Sequence, residues 1–332
     1  MSFQIQKAQR QKAKLRVGLS GPSGAGKTYS ALLLAAGLTG DWAKVCLIDT
    51  ENGSGSLYSD LGPYNVITLT APFSPERYIE AIKSAEDAGM EVIVVDSVSH
   101  EWDGKGGSLE INETLAQAKY RGNTWAAWSE TTPRHQKFIE AIVQSPAHII
   151  TTVRNKIETM QTEDKKVKKV GTKEIQREGF EYELTVNFNV DRENHLVVAS
   201  KDRTGLFIHR DPFVITEETG EALRAWNESG AEVPVDVPRE KAKVMHNLKR
   251  LGFSGQIDGD GVAKGGKVLD IVQVLTGLDI ASEKLLPEAV RKLEGWTDPE
   301  GAQATYGMAV QDRQRDAHAA GGEGVSSNSD NN

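Results

Sequence analysis

Residues 21–28 have the types and the spacing of a loop that binds phosphate groups. The glycines in this segment let the backbone turn tightly, so that successive N–H groups can point inward at a triphosphate. Lys27 is expected to reach the β- and γ-phosphates, and Thr28 to offer its hydroxyl to Mg²⁺. The segment therefore predicts ATP and Mg²⁺ as ligands. Its residues form a complete G-x-x-x-x-G-K-[ST] motif: Gly21, Pro22, Ser23, Gly24, Ala25, Gly26, Lys27 and Thr28.

Acidic residues stand at the ends of two other apolar runs. Residues 92–95 are apolar and lead into Asp96, the Walker B pattern, which predicts a carboxylate beside the metal. Residues 47–51 read Leu-Ile-Asp-Thr-Glu. At the carboxyl end of such a strand, Glu51 is expected to polarise the attacking water. Asp49 competes for this role, and a solvated loop acid is the alternative.

Two segments carry features that suit nucleic acid. Residues 158–178, predicted to be a loop, are rich in cations, which would contact a phosphate backbone or else simply be solvated. Residues 100–130 interleave aromatic and basic side chains, which suits base stacking, although packing in a core or a lid explains the tryptophans equally well. The candidate DNA-binding residues are Lys105, Arg121, Lys165, Lys166, Lys168, Lys169, Lys173 and Arg177, and the aromatic residues beside the first two are Trp102, Tyr120, Trp125 and Trp128.

Lys201 and Arg203 follow another apolar run, with one residue between them. Alternate residues of a strand point to the same side, so the two cations are suited to clamp a phosphate group. If they reach the nucleotide of a neighbouring subunit, they act as arginine-finger equivalents.

The elements that must position these residues alternate between strands and helices. Short apolar runs predict parallel strands over 15–19, 45–49, 66–69, 92–96 and 148–153, and a closing hairpin from 183–191 and 195–201. Helices are expected over 27–38 and from a cap at Ser74 to Gly89, with another beginning at Thr132-Pro133. This pattern predicts an α/β fold with a mainly parallel sheet flanked by helices and an antiparallel C-terminal hairpin.

The chain is expected to divide into several regions. Residues 1–13 form a basic N-terminal segment, and residues 14–230 hold the α/β domain. The proline-bearing segment 231–238 is expected to be a linker. Residues 239–297 contain apolar residues at helical spacing, over 239–252, 266–276 and 282–294, which predicts a small helical domain. The polar, glycine-rich segment 298–332 is expected to be a disordered tail.

The composition favours a cytoplasmic location. The net charge of −8 argues against a general coat of positive charge, so nucleic-acid binding has to come from local basic patches. The single cysteine, Cys46, lies in an apolar run and is expected to be buried and reduced. No apolar stretch approaches the ~20 residues of a membrane span, so no membrane partner is expected.

In the order of these motifs the chain resembles the RecA-like P-loop ATPase core, and most closely the compact phage AAA/RecA-type ATPases linked to single-strand annealing and recombination. GPSGAGKT matches Walker A, VIVVDS matches Walker B, and LIDTE puts Glu51 at the position of the catalytic glutamate. IITTVRNKIE resembles the strand before the second DNA-binding loop of the family, and VSHEWDGKGG lies at the position of the first. SKDRTG resembles the element that reaches across a subunit interface, with Lys201 and Arg203 as its cations.

The resemblance implies an ATPase that binds single-stranded DNA, works as a homo-oligomeric ring or filament, and meets a single-strand-binding protein as a further partner. If the chain is encoded by a phage, as the resemblance implies, its cytoplasmic location is that of the host cell. One departure is Thr152, which stands where recombinases carry a glutamine that senses the γ-phosphate. The resemblance therefore does not imply that the state of the bound ATP changes the affinity for DNA.

Other functions share the same phosphate loop. A ring-forming helicase or replication ATPase also uses a paired-cation finger. A small-molecule kinase would need an arginine-rich lid, and Arg154, Arg177 and Arg203 lie too far apart in sequence to form one. A nucleotide-gated adaptor would hydrolyse ATP poorly and recruit partners through its C-terminal helices. The leading expectation is a DNA-dependent ATPase.

Overall fold

A computed structural model describes residues 7–161, 167–231, 235–257 and 266–321. The chain divides into two compact units, Met1–Glu232 and Val233–Asn332, and the division falls inside the expected linker. The described strands, all in the first unit, are β1 (Arg16–Gly21), β2 (Val45–Asp49), β3 (Asn65–Thr68), β4 (Val92–Asp96), β5 (His148–Gln161), β6 (Val167–Glu174), β7 (Val186–Val190) and β8 (Val197–Asp202).

The strands form one sheet in the order β3-β2-β4-β5-β1-β7-β8, with β6 paired to β5. Strands β1 to β5 are parallel to one another, as predicted. β7 pairs parallel to β1 and antiparallel to β8, so the predicted closing hairpin is confirmed. Because β1, β2, β4 and β5 run in the same direction, the residues that follow them meet at one edge of the sheet. The phosphate loop, Glu51 and Asp96 lie along this edge.

Helices cover both faces of this sheet. In the first unit they are α1 (Lys27–Thr39), α2 (Pro75–Asp87), α3 (Ser99–Asp103), α4 (Ser108–Lys119), α5 (Thr124–Gln144) and α6 (Glu217–Glu228). Successive residues of β2 point to opposite faces. Leu47 therefore packs into the core that contains Leu32 of α1 and Leu223 of α6. Ile48 packs into the second core, formed with α2 and α5.

Two expectations for this unit are wrong. The loop expected over 158–178 is replaced by strand over 158–161 and 167–174, because β5 extends to Gln161 and pairs antiparallel with β6. The β-branched residues at 167, 170 and 172 favour a strand. The backbone hydrogen bonds between β5 and β6 outweigh the electrostatic repulsion expected in a lysine-rich sequence. The helix predicted to begin at Thr132-Pro133 begins at Thr124, where the side chain of Asn123 accepts from the Ala126 N–H. Its buried face continues through Pro133, so packing outweighs the lost backbone donor.

The second unit is helical. Its helices are α7 (Val237–Arg250), α8 (Ser254–Ile257), α9 (Gly266–Thr276), α10 (Leu286–Gly295) and α11 (Pro299–Gly321). They enclose a core of their own, which includes Leu248, Val272 and Leu293.

The prediction of disorder from residue 298 is wrong over Pro299–Gly321. Ala302 is fully buried, and four residues later the Tyr306 hydroxyl donates to Asp270 at 2.9 Å. Arg313 forms an ion pair with the same aspartate. These contacts fix α11 to α9, although the composition of the segment is polar. Residues 322–332 lie outside the described part of the chain.

Candidate functional site

The phosphate loop joins β1 to α1, which is the context that its motif requires. Gly24 and Gly26 have φ angles of +80° and +84°, in the left-handed region that glycine adopts without strain. Gly26 is the N-cap residue of α1, directly before its first residue. The unpaired N–H groups of this helix therefore point into the loop, where they favour an anion.

Lys27 lies over this loop. Its ammonium donates to the carbonyl oxygens of Gly21, at 3.0 Å, and Pro22, at 2.8 Å. Only 8% of the residue is exposed. Burial lowers the pKa of Lys27, while the nearby Asp96 and Glu51 carboxylates oppose that shift. The lysine is thus held inside the loop that the motif assigns to the phosphates.

The two predicted magnesium-binding residues meet at the same edge. The Thr28 hydroxyl donates to Oδ2 of Asp96 at 2.5 Å, and the Thr152 hydroxyl donates to Oδ1 of the same carboxylate. Burial raises the pKa of Asp96, and the two hydroxyl hydrogen bonds oppose the rise because they favour the charged form. Thr152, which stands at the sensor position of the recombinases, thus orients the carboxylate.

Hydroxyl and carboxylate oxygens are ligands that suit Mg²⁺, so Thr28 and Asp96 fit the expected ion. A bound Mg²⁺ would neutralise charge on the β- and γ-phosphates. Within the described residues, no three side chains of His, Cys, Asp or Glu come together as a metal-binding group.

The structure separates the two acids that compete for the role of general base. The Asp49 carboxylate accepts from the backbone N–H groups of Glu51, at 2.6 Å, and Gly55, at 2.9 Å, and only 1% of the residue is exposed. It therefore shapes the turn after β2. The Glu51 side chain is 28% exposed at the sheet edge, so Glu51 is better placed to meet a water molecule.

Glu51 is bound by an arginine that the motifs do not identify. Arg154 donates from Nε, at 2.9 Å, and from Nη2, at 2.6 Å, and both bonds go to Oε1 of Glu51. Arg154 directly follows the apolar part of β5, and β5 pairs with β1 so that Arg154 lies opposite Gly21. A cation just after a core strand at the ligand-binding edge is the signal that would have identified it.

The turn between β7 and β8 also touches the phosphate loop. His195 Nδ1 lies 3.0 Å from the Ala25 carbonyl oxygen, which can only accept, so Nδ1 carries the proton. Arg192 of the same turn approaches Gly24, with Nε 3.9 Å from the place that a Cβ atom on that glycine would occupy. Both residues are missing from the sequence prediction because they have no pattern of their own.

Lys201 lies in β8 and Arg203 directly follows its end, and the two side chains point to the same side, as predicted. Both donate to the Tyr182 carbonyl oxygen, at 2.6 Å and 2.9 Å, and Lys201 also donates to the Glu181 carbonyl oxygen at 2.7 Å. Burial lowers the pKa of Lys201, and the neighbouring Arg203 lowers it further. β8 runs antiparallel to β7 and ends opposite the beginning of β7, so the two cations lie toward the sheet edge opposite the phosphate loop.

The predicted DNA-binding residues lie in several places. Lys173 and Arg177 line one cavity together with Trp102, Trp125 and Trp128. Lys105 and Arg121 are exposed and do not line it. Lys168 and Lys169 lie on β6, opposite Met160 and Thr159 of β5. Lys165 and Lys166 fall outside the described residues.

None of the helices in the described part of the chain combines the length and the apolar character needed to cross a membrane.

Among curated proteins, none matches the chain. A family model described as an AAA domain matches residues 13–205, more than half of the chain, and this range holds the phosphate loop, Asp96, Glu51 and every strand of the sheet. The chain therefore belongs to the AAA domain family of P-loop ATPases.

Proposed function

We propose that this chain hydrolyses ATP in response to single-stranded DNA and acts in phage recombination by strand annealing. The site supports the hydrolysis step through three groups at one sheet edge. Lys27 lies over the phosphate loop, Thr28 and Asp96 offer oxygen ligands to Mg²⁺, and Glu51 is placed to polarise a water molecule. Such positioned charges supply most of the catalysis in phosphoryl transfer.

The observation that carries the dependence on DNA is the ion pair between Glu51 and Arg154. Both Arg154 hydrogen bonds go to Oε1 of Glu51, at 2.9 Å and 2.6 Å, so the guanidinium occupies an oxygen atom that would otherwise be open to a water molecule. Glu51 in this pair is therefore held back from proton abstraction. A movement of Arg154 would release it.

Arg154 belongs to β5, the strand that continues into the antiparallel pairing with β6. β6 carries Lys168, Lys169 and Lys173, which would bind a phosphate backbone. The backbone of Arg154 is itself fixed to the end of this hairpin, because its carbonyl oxygen accepts from the Ile175 N–H at 2.7 Å. A strand bound to the hairpin would therefore shift Arg154 and free Glu51.

The role in phage recombination and annealing rests on the resemblance of the motifs to the phage RecA-type ATPases. The oligomeric part of the proposal rests on Lys201 and Arg203. They lie toward the sheet edge away from the phosphate loop of their own chain, so they would act on the nucleotide of a neighbouring subunit in a ring or filament.

The test is steady-state ATP turnover by the full chain, with and without a single-stranded oligothymidylate and with Mg²⁺ present. We expect the oligomer to raise turnover in the wild-type protein. Arg154→Gln should lose most of this response, because Glu51 is no longer held. Lys27→Ala supplies the background rate of a protein without its phosphate-binding lysine.

A matched control comes from a second arginine–glutamate pair. Arg134 binds Glu76 at 2.7 Å and 2.9 Å on the exposed surface, so Arg134→Gln removes a similar ion pair without touching the site. It should respond to DNA as the wild type does. A wild-type rate that DNA leaves unchanged would refute the proposal and favour a small-molecule kinase or an adaptor. A full response in Arg154→Gln would refute the route through Glu51.

A further inference from the structure

A cavity of about 730 Å³ lies between the helices that follow Asp96 and the end of the β5–β6 hairpin. Its walls include Trp102 of α3, Trp125 and Trp128 of α5, and the cations Lys156, Lys173 and Arg177. We refer to it as the tryptophan cavity. The phosphate-loop chemistry described above gives this cavity no role.

One wall of the tryptophan cavity is a packed layer. The Trp102 and Trp128 rings stack with centroids 5.6 Å apart and planes at 18°, and the Arg177 guanidinium lies 5.7 Å from the centroid of the Trp128 ring. Trp102 also packs edge-on against His135, which is bound at 3.1 Å by the fully buried Glu101. These contacts hold the wall rigid and leave its role structural.

Trp125 differs from the other two tryptophans because 87% of the residue is exposed. It lies three residues before Trp128 on α5 and therefore on the same helix face. The first turn of α5 is held by the Asn123 side chain, which accepts from the Ala126 N–H. A large aromatic face is thus presented beside the cavity on an ordered backbone, with no core function to account for it.

The cavity is also lined by two lysines of like charge. Lys156 and Lys173 are direct partners in the pairing of β5 with β6, and both are exposed. Like charges directly across two strands are destabilising, and a phosphate group between them would relieve the repulsion. The acids that also line the cavity are Asp103, Glu174 and Glu178. Glu174 is turned toward the sheet, where it accepts from Ser20 and Asn187.

We propose that the tryptophan cavity binds single-stranded nucleic acid, with one unstacked base on the face of Trp125 and the adjoining phosphates on Lys156 and Lys173. Aromatic faces beside cations are what a single strand needs, because every base has a stacking face and every linkage a negative charge. In a duplex the base faces are already covered. This inference rests on the proposed DNA-dependent function and gives its DNA a defined contact.

The position of the cavity ties it to the catalytic edge. Lys156 lies two residues after Arg154 on β5, so the two side chains leave the strand on the same face. A strand held by Lys156 would therefore act directly beside the arginine that binds Glu51.

The first experiment compares two oligomers of equal length and charge, an oligothymidylate and a chain of abasic sites, in equilibrium binding to the full protein. The wild type should bind the oligothymidylate more tightly. Trp125→Ala should weaken that binding roughly 5- to 150-fold, the usual range for loss of one stacked base, and leave binding of the abasic chain nearly unchanged. Trp125→Phe, which keeps an aromatic face, should retain most of the preference.

Matched controls lie outside the cavity. Leu57 is 79% exposed, and Leu57→Ala should bind both oligomers as the wild type does. Lys156→Gln with Lys173→Gln should reduce the log–log salt slope of binding by about 1.4, at roughly 0.7 per contact. Lys83→Gln, a change at an exposed lysine of α2, should not change the slope.

Failure of this inference can be told apart from failure of the proposed function. If the wild type binds neither oligomer, both are refuted. If it binds DNA and its ATPase responds, but Trp125→Ala keeps the preference for bases, only the stacking site is refuted. A Trp125→Ala protein with unchanged DNA affinity and a smaller sedimenting mass would assign the indole to a protein interface instead.

Discussion

Three acids at one sheet edge acquire different roles from the groups that bind them. Asp96 is held by two hydroxyls, Asp49 by two backbone N–H groups, and Glu51 by a guanidinium. Hydroxyl partners leave a carboxylate able to bind a metal, whereas backbone partners commit it to shaping a turn. An ion pair at a partly exposed site can open, so Glu51 is the acid that is able to change its partner.

Glu51→Gln should therefore separate binding from turnover. The amide keeps the shape of the side chain but cannot accept a proton, so we expect ATP binding to persist while turnover falls about 100-fold. Binding is measured with a fluorescent ATP analogue and turnover by phosphate release. Asp49→Asn is the matched control, because it changes an acid two residues away in the same turn.

The control variant should lose stability more than turnover. Asp49→Asn removes one of the two acceptors in the turn, so we expect a loss of about 1–3 kcal/mol in the free energy of unfolding and a smaller effect on turnover. If Asp49→Asn abolished turnover while Glu51→Gln remained active, the assignment of the base would be wrong.

At the scale of elements, β5 links the core of the sheet to its functional edge. Its first residue, His148, accepts the Leu15 N–H on Nδ1 at 3.0 Å. Its residue Arg154 binds Glu51, and its last residues pair with β6. One strand thus contributes to folding at one end and to the proposed response to DNA at the other.

His148 should make the stability of the sheet unit depend on pH. Burial, together with the nearby cations of Lys14 and Arg16, lowers the pKa of His148 to about 3. In the unfolded chain a histidine has a pKa near ~6.5, so between these values the unfolded state binds the extra proton. Stability therefore falls as the pH falls below ~6.5, by about 2 kcal/mol at pH 5.

The measurement is urea unfolding at pH 5 and at pH 8, for the wild type and for His148→Asn. Asparagine can still accept the Leu15 N–H but does not titrate, so the variant should lose about 2 kcal/mol less between the two pH values. Equal losses in both proteins would show that His148 is not the group responsible.

At the scale of the whole molecule, the proposed mechanism needs more than one chain. Lys201 and Arg203 share the Tyr182 carbonyl oxygen and lie toward the sheet edge away from their own phosphate loop. Arg203 is exposed, so it is available to a neighbouring subunit. The position of the two cations is therefore compatible with a contact between chains.

Mixing two inactive variants tests this arrangement. Arg203→Ala should bind ATP and lose most turnover, and Lys27→Ala should fail to bind ATP. In mixed assemblies, an intact phosphate loop from the first protein can meet an intact Arg203 from the second, so partial activity should return. Inactive mixtures of proteins shown to co-assemble would refute a role for Arg203 across an interface.

The sequence by itself determined the features that depend on local backbone. Gly21 to Thr28 specify a phosphate loop because glycine and its neighbours fix the turn. The apolar runs before Asp96 and around residues 45–49 specify buried parallel strands because both of their faces are covered. These residues lie close together in the chain, so the local sequence pattern is enough to predict their structure.

Only the tertiary structure decided which distant groups meet. Arg154 and Glu51 are 103 residues apart in sequence. Their contact is possible because a single strand, β4, separates β2 from β5 in the sheet. The order of strands also places the β7–β8 turn on the phosphate loop, and the pairing of β6 with β5 puts Lys173 opposite Lys156. The exposure of Trp125 and the burial of its neighbours depend on how α3 and α5 pack. No local sequence pattern predicts these contacts, because they depend on how the whole chain packs.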